Sequence, residues 1–325
     1  MSSPGFAVAC AVSTLFFVTT FYQQSAPVAD HHQHLFSPAI AALISPPPPD
    51  AAVKPISAAN LVSLLEAAGI KRAAVLSVAY MYGNPVRKIE NEYEKVKGEN
   101  DWTGQQVAQF PDRLIGFCSF NPLKEYALRE LARCAKDPNL RHGLKLHFGN
   151  SVVNYHDEQH VDQLRKVFRA ANESGMAIIV HMRASISRKM PYGREEARIF
   201  LNEIVPAAPD IPIQIAHLAG AGGYADPLVD QALGVLAEAV EKGDPRTARL
   251  FFDVTTVAMR DTTTEQAELI ARRIRQVGVQ RVLYGSDAAS GANLPPREGW
   301  QAFRKVPLTD AEFASIAANL APYMR

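Results

Sequence analysis

The sequence has little of what marks a nucleic-acid-binding or disulfide-stabilised protein. Its 34 basic and 33 acidic residues give a formal net charge of +1, and no long basic block indicates a surface for nucleic acid. Its three cysteines, Cys10, Cys118 and Cys134, form no Cys-x-x-Cys pair, so we expect no disulfide framework. What remains is a chain of 325 residues, 47% of them hydrophobic, which is long enough to bury a large core.

One apolar run, from Phe6 to Tyr22, stands apart at the N-terminus. It is shorter than the about 20 residues of a membrane helix and resembles the apolar core of a secretory signal. However, Met1–Gly5 carries no Lys or Arg and no clean Ala-x-Ala site follows. A retained anchor and a structured extension are the alternatives. We expect residues 1–26 to direct export to the periplasm or the medium. If this segment is not a signal peptide, we expect the protein to be cytoplasmic.

From residue 27 onward, short apolar runs alternate with helical patterns. The predicted strands are Val28–His34, Ala73–Ala79, Leu114–Phe120, Gly143–His147, Ala177–His181, Ile213–His217, Leu250–Thr255 and Arg281–Ser286. Between them, helix ends are marked by Ser57 before Ala58–Ala68 and by a capping box that starts at Thr309. A regular order of strand then helix is typical of parallel strands joined by right-handed crossovers. We therefore predict a single-domain (β/α)8 TIM barrel over residues 27–325.

Side chains that can bind a metal follow four of these strands. His32 and His34 share one face of the first strand, His181 ends the fifth, His217 ends the sixth and Asp287 follows the eighth. Because the carboxyl ends of barrel strands meet at one rim, we expect these side chains to surround a single site. Imidazoles and a carboxylate suit Zn²⁺, with Mn²⁺ or Fe²⁺ also possible, and leave a position for an activated water.

Taken together, these motifs resemble the amidohydrolase superfamily, most closely its amidohydrolase-related branch. The motifs are Asp30–Phe36, Gly143–His147, Val180–His181, Ala216–Gly220 and Tyr284–Asp287. The resemblance implies that the metal ligands are His32, His34, His181 and Asp287. It also implies that Asp287 acts as general base and that His217 steadies or polarises the attacking water or the substrate.

The sequence identifies the residues that contact the substrate less clearly than the metal ligands. In some branches of the superfamily a lysine on the fourth strand is carbamylated and bridges two metals, and Lys145 occupies such a position. Lys145 could instead bind a substrate anion or be structural. His147, on the same strand face, is a second substrate contact or an extra metal ligand. Arg183 could grip a substrate carboxylate with two hydrogen bonds or form a surface ion pair, and Tyr80 could line the pocket.

We therefore predict a hydrolase with one divalent metal ion that attacks an amide, lactone or ester-like bond of a small molecule. The molecule could carry a carboxylate, and the protein could be a homo-oligomer. The main alternative is a metal-dependent non-oxidative decarboxylase, which is similar in fold and ligands. The first-strand motif is His-x-His and not the Glu-x-His of some decarboxylases, which favours hydrolysis. A metal-free lactonase or a catalytically silent barrel is a third possibility, although the complete ligand set argues against both.

Overall fold

The computed structural model describes residues 26–45, 53–288 and 293–325. The apolar N-terminal run and the Pro46–Pro49 segment lie outside these ranges, so the expectation of an export segment stays a prediction. Within the described ranges, no helix is both long enough and apolar enough to cross a membrane.

Eight parallel strands follow one another around a barrel in chain order. They are Ala29–Gln33 (β1), Arg72–Leu76 (β2), Leu114–Ser119 (β3), Gly143–His147 (β4), Ala177–His181 (β5), Ile213–Ile215 (β6), Leu250–Asp253 (β7) and Val282–Leu283 (β8). The barrel closes where β8 meets β1, since the His31 N–H donates to Tyr284 O at 2.8 Å and the Asp287 N–H donates to His32 O at 2.9 Å. The predicted (β/α)8 barrel is confirmed, and every predicted strand overlaps an observed one.

Helices surround the strands and begin at residues that the sequence marks. Their bounds are Pro38–Ile44 (α1), Ala58–Ala68 (α2), Glu92–Val107 (α3), Ala127–Cys134 (α4), Phe148–Ser151 (α5), Glu158–Glu173 (α6), Arg194–Ile199 (α7), Pro227–Glu241 (α8), Thr264–Val277 (α9), Pro296–Phe303 (α10) and Asp310–Ala318 (α11). The Ser57 hydroxyl accepts from the N–H of Asn60 at the start of α2, and Gly69 ends that helix with φ of 73°. The predicted capping box of Thr309 and Glu312 opens α11.

The C-terminal segment packs into the interior of the barrel. Ala321 and Met324 are fully buried against inward-facing side chains from several strands. The hydroxyl of Tyr323 donates to Gln214 of β6, and the Ala321 N–H donates to His31 Nε2 at 3.3 Å. This segment therefore fills the barrel beneath the carboxyl ends of the strands, which leaves those ends free to form a site.

Cys118 on β3 and Cys134 at the end of α4 form a disulfide, with their Cα atoms 6.1 Å apart. The expectation of no disulfide is therefore wrong for this pair. The two cysteines are separated by 16 positions, and they meet because the helix that follows a strand packs back onto it. The spacing of two cysteines along the chain does not reveal such a disulfide, because the disulfide depends on which faces of the strand and the helix carry the two thiols.

Candidate metal centre

Eight of the nine predicted site residues line one cavity at the carboxyl ends of the strands, with a volume of about 320 Å³. His32, His34 and Asp287 offer ligand atoms that all lie within 4.8 Å of one another. The ring of His217 lies 4.8 Å from that of His32, measured between centroids. The ring of His181 lies 5.2 Å from that of His217. His181 is outside the group of three, but its side chain lines the same cavity.

The ligand-bearing backbone departs from regular strand just where these side chains emerge. His217, Leu218 and Ala219 follow β6 with positive φ angles of 54°, 47° and 67°, and Asp287 has φ of 50°. Non-glycine residues in the left-handed region cost of order 1–3 kcal/mol each, and such strain clusters at functional sites. His217 was predicted at the end of a strand, but it lies in a tight turn beyond β6 that points its ring toward His32.

Hydrogen bonds fix the protonated nitrogen of three imidazoles. Each Nδ1 faces an oxygen that can only accept: Asp253 Oδ2 for His32 at 3.0 Å, Leu76 O for His34 at 2.6 Å and Thr255 O for His217 at 2.9 Å. The proton therefore lies on Nδ1, which leaves the Nε2 lone pair available. Burial lowers the pKa of His32 to about 3 and the pKa of His34 well below 6.5, so both rings are neutral. This is the state in which histidine binds a metal.

Asp253, at the end of β7, connects two of these histidines and was missed by the sequence reasoning. Its Oδ2 accepts from His32 Nδ1 and from Gln214 Nε2 at 2.6 Å. Its Oδ1 accepts from the N–H of His217 at 2.8 Å and of Thr255 at 3.2 Å. Burial alone would raise the pKa of Asp253, but the nearby imidazoles and donated hydrogen bonds hold that pKa below its usual range. A carboxylate in an otherwise apolar strand was the signal that could have identified it.

Asp287 presents a carboxylate oxygen to the cavity. Its Oδ2 accepts from the amide of Asn293 at 3.0 Å, whereas its buried Oδ1 has no hydrogen-bond partner among the described residues. That Oδ1 lies 3.8 Å from Nε2 of His34. Burial raises the pKa of Asp287 to about 7, although the Lys145 ammonium acts in the opposite direction.

Lys145 of β4 lies beneath these side chains and is fully buried. Its Nζ is 3.0 Å from His32 Nε2, the nitrogen whose lone pair is available. Burial lowers the pKa of this amine to about 8. An amine of this kind can bind a substrate anion as the ammonium, or react as the free base.

The remaining predicted substrate contacts divide between two places. Tyr80 and His147 line the cavity, and the His147 ring stacks on that of His181 at 3.9 Å between centroids. Arg183 does not line it: two of its guanidinium nitrogens face Asp226 Oδ2 at 3.0 and 3.3 Å. The guanidinium thus forms an ion pair, as in the second of the two arrangements expected for this residue, but Arg183 is buried and not at the surface.

Apolar side chains also line the cavity. They are Phe36, Val78, Tyr80, Met81 and Met259. The cavity therefore combines polar and ionisable groups with side chains that suit a carbon skeleton.

The donor set fits a divalent cation. Available Nε2 lone pairs on neutral imidazoles converge on one volume with a buried oxygen of Asp287 that has no partner within the described part of the chain. Buried polar atoms without partners are rare in proteins. Nitrogen and oxygen donors of this kind suit Zn²⁺ and Mn²⁺.

Comparison with known proteins places these findings in context. A family model described as amidohydrolase matches residues 29–319. A comparison with curated proteins gives no match. Among solved structures, 5-carboxyvanillate decarboxylase from Sphingomonas paucimobilis is 16% identical with a TM-score of 0.61, and the match covers 90% of this chain and 97% of that one.

Two further structures show the range of activities among similar folds. A 5-carboxyvanillate decarboxylase from Novosphingobium aromaticivorans, complexed with manganese and 4-hydroxy-3-methoxy-5-nitrobenzoic acid, is 15% identical with a TM-score of 0.58, over 91% of this chain and 95% of that one. A probable 2-pyrone-4,6-dicarboxylic acid hydrolase from Acinetobacter baumannii, with citric acid bound, is 14% identical with a TM-score of 0.58, over 89% and 96%. At such identities, the likeness shows the fold alone.

Proposed function

This chain belongs to the amidohydrolase family, and on that premise we propose that it is a metal-dependent enzyme that removes the carboxyl group of a small organic acid without oxidation. The observation that carries the proposal is the mixed lining of the cavity of about 320 Å³. Its polar side chains, among them the buried Lys145, suit a carboxylate, and its apolar side chains suit an aromatic or unsaturated skeleton. The decarboxylases of similar fold support this choice over the hydrolysis that the sequence favours.

The metal ligands in this proposal are His32, His34, His181 and Asp287, with one divalent ion per chain. When bound, the ion would act as a Lewis acid that withdraws electrons from a substrate oxygen. The imidazole-rich donor set favours Zn²⁺, and the manganese in a decarboxylase of similar fold supports Mn²⁺ as an alternative.

The chain's own residues would position the acid and move a proton. The Lys145 ammonium attracts the substrate carboxylate in a site with few competing waters, where charge interactions are strong. As the bond to the carboxylate breaks, carbon dioxide leaves and the electron pair stays on the ring or alkene carbon. That carbon takes a proton that Asp287 relays from solvent. His217 Nε2 lies beside the cavity and polarises or orients the substrate.

Hydrolysis of an amide, lactone or ester is the second candidate. It is favoured by the His-x-His pair and by the contact of 3.0 Å between Lys145 Nζ and His32 Nε2. A lysine in this position could be carbamylated and bridge two metal ions, as in some branches of the superfamily. Asp287 would then take a proton from the attacking water and pass it to the leaving group.

Export remains part of the proposal. The disulfide between Cys118 and Cys134 supports it, because disulfides persist mainly in oxidising compartments. Fractionation of cells that express the full chain would locate the protein.

Two parallel assays test the proposed reaction. Protein loaded with Zn²⁺ or Mn²⁺ is offered aromatic and unsaturated carboxylic acids while carbon dioxide is measured. Hydrolysis is followed as proton release from lactones and esters and as amine release from amides. We expect carbon dioxide from at least one acid. His217→Asn should keep the metal but lower turnover by about 100-fold or more, as expected when a positioned polar group is lost. Proton release from a lactone or ester, or amine release from an amide, without any carbon dioxide would support hydrolysis instead.

A further inference from the structure

A second cavity, of about 450 Å³, opens beside the metal centre. His147, His181 and Ala221 line both cavities, so the two are adjacent. The polar side chains of the second cavity are Asn84, Asn150, Arg183, Ser185, Ser187 and Arg188. No carboxylate is among the described residues that line it.

The charge of this second cavity is positive. Arg183 is 5% exposed and its guanidinium is paired with Asp226, which does not line the cavity. The side chain of Arg188 is exposed at the mouth, and no acidic side chain of the lining balances it. Two apolar residues, Val86 and Ile186, also line the cavity and are 51% and 58% exposed. A ligand with an anionic end and a carbon skeleton matches this lining.

His147, at the junction of the cavities, has the opposite tautomer to the three histidines described above. The N–H of Asn150 donates to His147 Nδ1 at 3.1 Å. Because a backbone N–H can only donate, Nδ1 carries the lone pair and the ring proton lies on Nε2. The Nε2 lone pair is therefore unavailable to a metal, which argues against His147 as an extra ligand.

The position of this donor is fixed by its neighbours. Asn150 Nδ2 donates to Tyr80 O at 2.8 Å, and Asn84 Nδ2 donates to Asn150 Oδ1 at 3.1 Å. The stacked ring of His181 holds the plane of the His147 ring. The Nε2–H of His147 is thus a preorganised hydrogen-bond donor at the boundary between the two cavities.

We propose that the second cavity is a subsite for a second, negatively charged group of the substrate, with Arg188 as its cationic partner and His147 as the hydrogen-bond donor at the junction. The substrate class is then a dicarboxylic acid or another acid with two anionic groups. This inference rests on the proposed function only in assigning the reacting carboxylate to the first cavity.

Matched ligands that differ by one charge provide the test. Isophthalate and terephthalate are each compared with their monomethyl esters by calorimetry, using the full chain loaded with Zn²⁺ and the metal-free chain. For at least one pair we expect the dianion to bind about tenfold more tightly, since the added carboxylate would accept from both the His147 Nε2–H and the exposed Arg188 guanidinium.

Substitutions then show which residues cause the tighter binding of the dianion. Arg188→Gln should reduce it to about threefold or less, whereas Lys189→Gln, which removes the adjacent exposed cation outside this cavity, should leave it unchanged. His147→Gln places an amide donor near the Nε2 position and should retain most of the affinity for the dianion. His147→Asn is too short and should lose it. Thermal melts close to that of the wild type show that the variants are folded.

Two outcomes would overturn the subsite: no dianion preference in either pair, or a preference that survives both Arg188→Gln and His147→Asn. Because binding is measured without turnover, failure of the proposed reaction is a separate result. A protein that decarboxylates nothing could still show the Arg188-dependent preference.

Discussion

Replacing Asp253 by asparagine would change one atom and disturb the tautomers on which the metal centre depends. Asp253 accepts four hydrogen bonds, two on each carboxylate oxygen. An asparagine amide can accept only on one side, so its NH₂ group must face two donors on the other. If it faces His32 Nδ1, the imidazole can keep that hydrogen bond only by moving its proton to Nε2, which removes the lone pair available to the metal.

The magnitude follows from this geometry. Loss of the hydrogen-bond partner of a metal-bound histidine typically weakens metal binding by 10 to 100-fold, or about 1.4–2.8 kcal/mol. Each buried donor left without an acceptor costs about 1–3 kcal/mol, so two such donors should lower the free energy of unfolding by about 2–6 kcal/mol. The two effects are separable, because one depends on metal concentration and the other persists in the metal-free protein.

Competition with a chromophoric chelator measures the metal dissociation constant, and urea titration of the metal-free protein measures stability. Asp230→Asn is the matched control, since Asp230 pairs with Arg273 at 2.7 Å outside the site and its replacement should cost stability but leave the metal affinity unchanged. An Asp253→Asn protein that binds Zn²⁺ as tightly as the wild type would refute the proposed role of this hydrogen bond.

Three further outcomes follow from the structure. Burial raises the pKa of Glu99 from 4.5 to about 7, so the folded state binds that proton more tightly than the unfolded state does. The free energy of unfolding should therefore fall by up to about 3 kcal/mol as the pH rises from 4.5 to 7. Urea titrations at pH 5 and 8 should show that this pH dependence is lost in Glu99→Gln and kept in the control Glu90→Gln, which alters an exposed residue. Met324→Ala should cost about 2–5 kcal/mol, because the side chain is fully buried, without changing metal affinity. Gly285→Ala should weaken both stability, by about 1–3 kcal/mol, and metal binding, because the new methyl would overlap Thr255 and the strand that carries the first ligands.

The sequence predicts the barrel well because its information is local. Alternation of apolar runs with capped helices is a property of short segments, and chirality and strand pairing then leave few arrangements. The observed strands differ from the predicted ones mainly at their ends: β8 comprises only Val282–Leu283 and β6 stops at Ile215. Beyond these points the backbone turns toward the site.

The candidate site is predicted less completely, because its chemistry depends on contacts between distant segments. Residues at the strand ends could be identified from the register. The proton positions could not, since His32 and Asp253 are 221 positions apart. Likewise, Arg183 pairs with Asp226 across 43 positions, and the sequence left open whether that guanidinium was available to a substrate.

Metal content tests the central claim most directly. Purified protein is analysed by inductively coupled plasma mass spectrometry and assayed before and after treatment with a chelator, beside a His34→Ala variant. The account predicts about one Zn²⁺ or Mn²⁺ per chain, lost together with activity in the variant and after chelation, and restored in the wild type by added metal. Protein that contains no transition metal, turns over its substrate and resists chelators would contradict the account and favour a metal-free lactonase.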